Sequence, residues 1–134
     1  MGAKENVAVV RRFWDELISA GKLEVADELL APDYVNFLYE APATADPAIQ
    51  APQSSENGGD AVAKLKEAIT SFLAGLKEVR FEPSAIAAEG DSVFARFNIV
   101  ATKPDGTTTT ARALGYYKLA NGKIILNDVM SIPA

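Results

Sequence analysis

The chain contains no histidine and no cysteine. The missing cysteines exclude disulfides, iron–sulfur clusters and thiolate metal sites. The missing histidines exclude more: the commonest acid–base group at neutral pH, every serine–histidine or cysteine–histidine nucleophile pair, and most zinc sites. Proton transfer must then fall to a carboxylate, a tyrosine, a lysine or a bound water. No apolar run reaches transmembrane length, and Met1 to Asn6 lacks the apolar core of a signal peptide. Met1-Gly2 can precede myristoylation, but residue 6 is Asn where that signal wants Ser or Thr. A cytoplasmic protein is the expectation. A basic cluster is missing too. With a net charge of -5 and a pI near 4.7, neither nucleic acid nor an anionic membrane is an expected partner.

What is present suits one ordinary globular domain spanning residues 1–134: 49% of the residues are hydrophobic and 23% charged. Val7, Val10, Trp14, Leu17 and Ile18 recur at helical spacing over residues 4–20. Gly21 follows in the left-handed position that ends a helix. A short helix over 23–30 stops at Ala31-Pro32, and 33–39 reads as a strand. Residues 40–59, with three prolines and two glycines, read as a mobile flap or rim segment rather than an ordered lid. Asp60 is placed to cap a third helix whose stripe runs through Val62, Leu65, Ile69, Phe72, Leu73 and Leu76. A strand over 77–88 follows, with Pro83 marking a bulge or an edge.

The last third, Asp91 to Ile132, reads as three antiparallel strands. They are joined at Pro104-Asp105-Gly106-Thr107 and Ala120-Asn121-Gly122-Lys123. Asp-Gly and Asn-Gly between strand-like runs are strong signals for two-residue hairpin loops. Two-residue loops set Arg96 opposite Gly115 and Gly115 opposite Asp128. That register gives a buried face carrying Phe94, Val100, Ala111, Ala113, Tyr117, Leu119, Ile124, Leu126, Met130 and Ile132, interrupted by Arg96, Asn98 and Asp128. The row Arg96–Gly115–Asp128 then forms the floor of a pocket, since two strand spacings are about 9.5 Å. The whole order predicts an α+β cone: a curved antiparallel sheet with three helices packed on its concave side and a mainly apolar pocket. The opposite, wetter face still carries Leu114, Ile125 and Val129, which points to a partner there.

Several stretches resemble a known family. Val9-Val10-Arg11-Arg12-Phe13-Trp14, the helix Gly21 to Leu30, Pro32-Asp33-Tyr34-Val35-Asn36, the turn Ala88-Glu89-Gly90-Asp91 and Asn121-Gly122-Lys123-Ile124 are similar to the SnoaL-like polyketide cyclases of the NTF2-like superfamily. Where that family carries histidines on the early and last strands, this chain has Phe37 and Asn127. A more local similarity to the limonene-epoxide-hydrolase branch rests on Tyr34-x-Asn36, Arg96-x-Asn98 and Asp128, with Asn98 in place of the proton-donating acid.

The resemblance implies a homodimer through the outer sheet face and a small hydrophobic ligand inside the cone. On this reading the chain is an enzyme performing acid–base chemistry on a small apolar or polycyclic carbonyl compound. Asp128 moves the proton and Arg96 stabilises the enolate. Asn98, Tyr34, Asn36 and Tyr117 hold the substrate, and Trp14, Phe37 and Phe94 supply apolar wall. Two alternatives stand beside it: a binding domain without chemistry, and an epoxide hydrolase. No metal or cofactor is implied, because the chain has neither a phosphate-binding glycine motif nor a ligand cluster of credible spacing.

Overall fold

The computed structural model describes residues 2–37 and 61–133. Helix α1 spans Ala3–Arg12 and continues as a π-helical stretch, Phe13–Ser19. The wider turn is closed by an Ala20 N–H to Asp15 carbonyl bond of 3.1 Å, five residues apart. It turns Phe13, Trp14, Leu17 and Ile18 all inward. Gly21 ends the segment with φ +67, the left-handed conformation expected of it. A 3₁₀ turn, Leu23–Val25, leads into α2, Ala26–Leu29. Strand β1 is Leu30–Phe37 and helix α3 is Ala61–Ala74. Strands β2 (Glu78–Glu89), β3 (Ser92–Thr102), β4 (Thr108–Ala120) and β5 (Lys123–Pro133) complete the chain. The 40–59 segment and the Asp60 cap lie outside the described residues.

The sheet order is β1-β5-β4-β3-β2. Four strands form the expected antiparallel meander, but β1 pairs parallel with β5. The sheet is therefore mixed, curved and unclosed, with the helices on one face. Pro83 sits where β2 shifts register against β3, on an edge strand, so both readings of that proline hold.

One hydrophobic cluster fills the space between helices and sheet. Trp14 lies at its centre, parallel to Phe81 at 6.3 Å and 4.8 Å from Phe97, ring centroid to centroid. Val10, Leu17, Leu65, Ile69, Ile99 and Ile124 are fully buried around it. At the N-terminal edge, the buried Asn6 donates to the Gly90 carbonyl at 3.2 Å, tying α1 to the β2–β3 turn.

Both C-terminal hairpins form where the sequence signals them, yet each differs by one residue from a simple two-residue register. In the β3–β4 loop, Gly106 donates to the Lys103 carbonyl and adopts φ +91. This is a type I turn followed by a left-handed glycine, a three-residue connection. The Asp105 carboxylate locks it by accepting the Thr107 N–H at 2.9 Å and its hydroxyl at 2.6 Å. In the β4–β5 hairpin, Asn121 and Gly122 both take positive φ, as a type I′ turn requires. The ladder then slips: Leu119 faces Ile124, but Lys118 faces Leu126, leaving Ile125 as a bulge.

A slip of one residue exchanges the faces of a strand. Arg96 therefore faces Leu114, and Tyr116 faces Asp128. Phe94, Arg96, Asn98, Asp128 and Met130 belong to the outer face, contrary to the register set by two-residue loops. Ala111, Ala113, Tyr117 and Leu119 remain inside as expected.

Candidate functional site

Inside the cone, polar side chains are few. Asn6 and Asn127 are the buried polar residues among those described, and no described carboxylate, lysine or arginine joins the core. Four hydrogen-bonding side chains nevertheless meet there: Trp14 from the π-helical stretch, Tyr34 from β1, Tyr117 from β4 and Asn127 from β5.

They form two pairs. The Trp14 indole N–H donates to the Tyr117 hydroxyl at 2.9 Å, and the Asn127 amide donates to the Tyr34 hydroxyl at 3.1 Å. Trp14, Tyr34 and Tyr117 are no more than 1% exposed, and Asn127 is 4% exposed. Each phenolic oxygen thus accepts from a nitrogen that can only donate in that contact. Neither phenol's own proton has an acceptor among the described residues. Burial pushes both phenols above the ordinary phenol range, with the Asn127 and Trp14 donors opposing that rise in Tyr34 and Tyr117 respectively, and the proximity of Tyr34 adding to it in Tyr117. Both are therefore neutral at physiological pH and serve as donors rather than bases.

Gly115 makes this arrangement fit. A Cβ at that position would stand 3.0 Å from Cε2 and 3.4 Å from the hydroxyl of Tyr117, and 3.2 Å from Cε1 of Phe97. The Tyr117 ring lies over the glycine instead, which holds its hydroxyl under Trp14. Phe13 closes the other side, edge-on to Tyr117 at 6.0 Å.

The expected site divides accordingly. Trp14, Tyr34 and Tyr117 converge in the interior. Arg96 and Asp128 do not: both stand on the outer face, where the hairpin geometry and the Ile125 bulge place them, and no ion pair joins them. Asn98 and Phe94 share that face, Phe94 being 52% exposed. Asn36 and Phe37 are in β1 beside Asn127 and Asp128, but their side chains lie outside the described residues. Asn127 was missed as a site residue because the unbulged register turns it outward. Its signal was present in the sequence, since it stands where the resembling family carries a histidine. No group of histidine, cysteine or acidic residues suited to a metal occurs among the described residues.

A cone of helices on a curved mixed sheet, with a small polar cluster enclosed at its centre, defines an NTF2-like α+β domain. The SnoaL-like domain model matches residues 10–127, and the chain belongs to that family. Among solved structures, a candidate polyketide cyclase from Acidithiobacillus ferrooxidans superposes with a TM-score of 0.73 at 19% identity, covering 95% of this chain and 87% of its own. IdmH from Streptomyces antibioticus gives 0.71 at 20% identity, covering 94% and 91%. A SnoaL-like polyketide cyclase from Agrobacterium tumefaciens gives 0.70 at 9%, covering 98% and 92%. At these identities the likeness is one of fold. No curated protein matches this chain. No described helix is long and apolar enough to cross a membrane.

Proposed function

We propose that the cone interior takes a small hydrophobic carbonyl compound, whose oxygen accepts hydrogen bonds from the Tyr117 and Tyr34 hydroxyls. The observation that carries this reading is the polarity of the two pairs. Trp14 and Asn127 occupy an acceptor site on each phenol oxygen, so the remaining proton is directed at something else. A carbonyl oxygen is the simplest acceptor to meet that proton among otherwise apolar side chains.

The chemistry that follows is polarisation of the bound carbonyl. Neutral donors aimed at an oxygen that gains negative charge on enolisation stabilise that charge more in a water-poor site than in water. Tyr117 and Tyr34 then take the electrophilic role that the sequence assigns to Arg96; with Asp128 outside the cone, the α-proton passes to a water molecule that enters with the substrate, and the same water returns a proton or deuteron to the carbon. The structural likeness to polyketide cyclases supports a substrate that is a carbonyl compound of this kind. A second reading, a binding domain without turnover, is favoured by the lack of a described carboxylate in the interior.

Titration with a panel of aryl and alicyclic ketones, followed by the fluorescence of Trp14, the single tryptophan, tests binding. Exchange of the bound ketone's α-protons for deuterium tests chemistry. Binding weakened in Tyr117→Phe, with α-exchange above the solvent rate, supports the enzyme. Binding without exchange supports the second reading, and no binding by any ketone overturns both.

A further inference from the structure

Arg12 stands where the α-helical winding of α1 gives way to the π-helical stretch, with its side chain partly exposed. Its guanidinium forks onto two carboxylates at once. Toward Glu16 the distances are 2.8 Å from Nε and 3.2 Å from Nη2; toward Glu28 they are 2.6 Å from Nη1 and 3.2 Å from Nη2. The Arg12 bonds hold both glutamates below the ordinary carboxylate range, so both are ionised at neutral pH. An isolated exposed ion pair contributes little, but a guanidinium held by two carboxylates fixes geometry as well as charge.

These residues bracket Trp14. Arg12 precedes it, Glu16 follows it, and Glu28 belongs to α2. Glu16 is held a second time through its carbonyl, which accepts the Lys22 N–H at 3.0 Å. The winding is thus pinned before and after Trp14, from outside the core. On the inner side, Trp14 has a single hydrogen-bonding group, the indole N–H, and it reaches the Tyr117 hydroxyl at 2.9 Å. Side chains extend about 5–6 Å from a helix axis, so a turn of about 10° displaces their tips by about 1 Å. Good N–H···O bonds span only about 0.5 Å in distance. A small change of winding therefore breaks the contact.

We infer that Arg12 is a positioning residue for the Tyr117 hydroxyl: by joining Glu16 to Glu28 it holds the π-helical stretch at the winding that keeps the Trp14 N–H on the Tyr117 oxygen. That bond fills one acceptor site of the oxygen and so decides where the phenol's proton points. Arg12 itself meets nothing in the interior and acts through Trp14. Its effect on a ligand rests on the carbonyl reading of the cone; its effect on the Trp14–Tyr117 bond does not. Arg80 supplies the contrast. It too sits between two glutamates, Glu78 at 2.8 Å and Glu82 at 3.3 Å, but both are on its own strand, so it joins no two elements.

The test is ¹⁵N NMR of the one indole N–H in the full chain, with titration by 1-indanone in parallel. The proteins are the parent, Arg12→Met, Arg12→Lys, Arg80→Met and Tyr117→Phe, the last marking the signal of an indole without its acceptor. Arg12→Met is expected to move the signal toward that reference and to weaken 1-indanone binding about three- to tenfold, the contribution of one hydrogen bond. Arg12→Lys keeps the charge but cannot fork onto both carboxylates, and is expected to recover part of the shift. Arg80→Met, which loses ion pairs of the same kind, should leave the signal where the parent has it. An unmoved signal in Arg12→Met overturns the inference whether or not the ketone binds, and so does an equal movement in Arg80→Met. A signal that moves in Arg12→Met alone, in a chain that binds no ketone, supports the link from Arg12 to Trp14 and sinks the carbonyl reading instead.

Discussion

Asn127 on β5 donates its amide N–H to the Tyr34 hydroxyl on β1 at 3.1 Å, and the adjacent Asp128 faces the opposite side of the sheet. A single extra residue, Ile125, decides which of the two enters the cone. The interior thereby receives a neutral amide that orients a phenol, and the carboxylate goes to the outer face of the sheet. The same economy governs Tyr117, whose ring rests on Gly115 and whose oxygen accepts from Trp14.

The buried phenols predict how stability responds to alkali. In the unfolded chain Tyr34 and Tyr117 ionise near their ordinary value of 10.0, while burial holds both above it in the folded chain. The unfolded state therefore releases protons first. This contribution to stability is complete below about pH 10 and is lost as pH rises beyond it. Absorbance of tyrosinate near 295 nm should show two of the four tyrosines ionising only together with unfolding, as followed by circular dichroism. Gradual ionisation of all four in the folded protein would count against the enclosed pair.

Tyr117→Phe removes the acceptor of the Trp14 N–H and leaves a buried donor without a partner. The expected cost is about 1–3 kcal/mol, measured as a lower urea midpoint with an unchanged slope. Trp14 emission should move to shorter wavelength as the indole loses its bond. Tyr116→Phe, on the outer face with its hydroxyl 3.1 Å from Ser92 Oγ, should leave the emission where it is.

Gly115→Ala adds a methyl group where Tyr117 and Phe97 already stand at 3.0 and 3.2 Å. The backbone there has no positive φ to satisfy, so the effect is one of crowding alone. A loss of about 1–3 kcal/mol is expected, accompanied by weaker ketone binding because the Tyr117 hydroxyl is displaced. Combining it with Phe97→Leu should recover part of the stability, measurable as a double-mutant cycle in urea.

How far the sequence disclosed this architecture depends on how each feature is encoded. Helix positions repeat every three to four residues, so the inward stripe through Val10, Trp14 and Leu17 survived even the π-helical widening. Gly21 and Asn121-Gly122 were legible because few other residues accept positive φ. Pro83 was legible because it cannot donate to a ladder. Faces of strands are encoded by parity, and parity is lost with one inserted residue. Asp105-Gly106 suits both a two-residue and a three-residue loop, and nothing local to Ile125 announces a bulge. Those two ambiguities moved Arg96, Asn98, Phe94 and Asp128 to the outside while leaving Tyr117 and Trp14 inside. The parallel pairing of β1 with β5 is a contact between distant segments and has no local signature. Tyr34 is legible in the sequence as a candidate, but its hydrogen-bond partner Asn127 emerges only from the three-dimensional register.

The most direct test of the central claim is the carbonyl stretching frequency of a ¹³C=O-labelled ketone bound to the parent, to Tyr117→Phe and to Tyr34→Phe. Hydrogen bonds from two neutral phenols should shift the bound carbonyl below its frequency in an apolar solvent. Each single substitution should return part of that shift. A bound ketone that vibrates at the same frequency in all three proteins would show that its oxygen does not meet these hydroxyls, and would contradict the account.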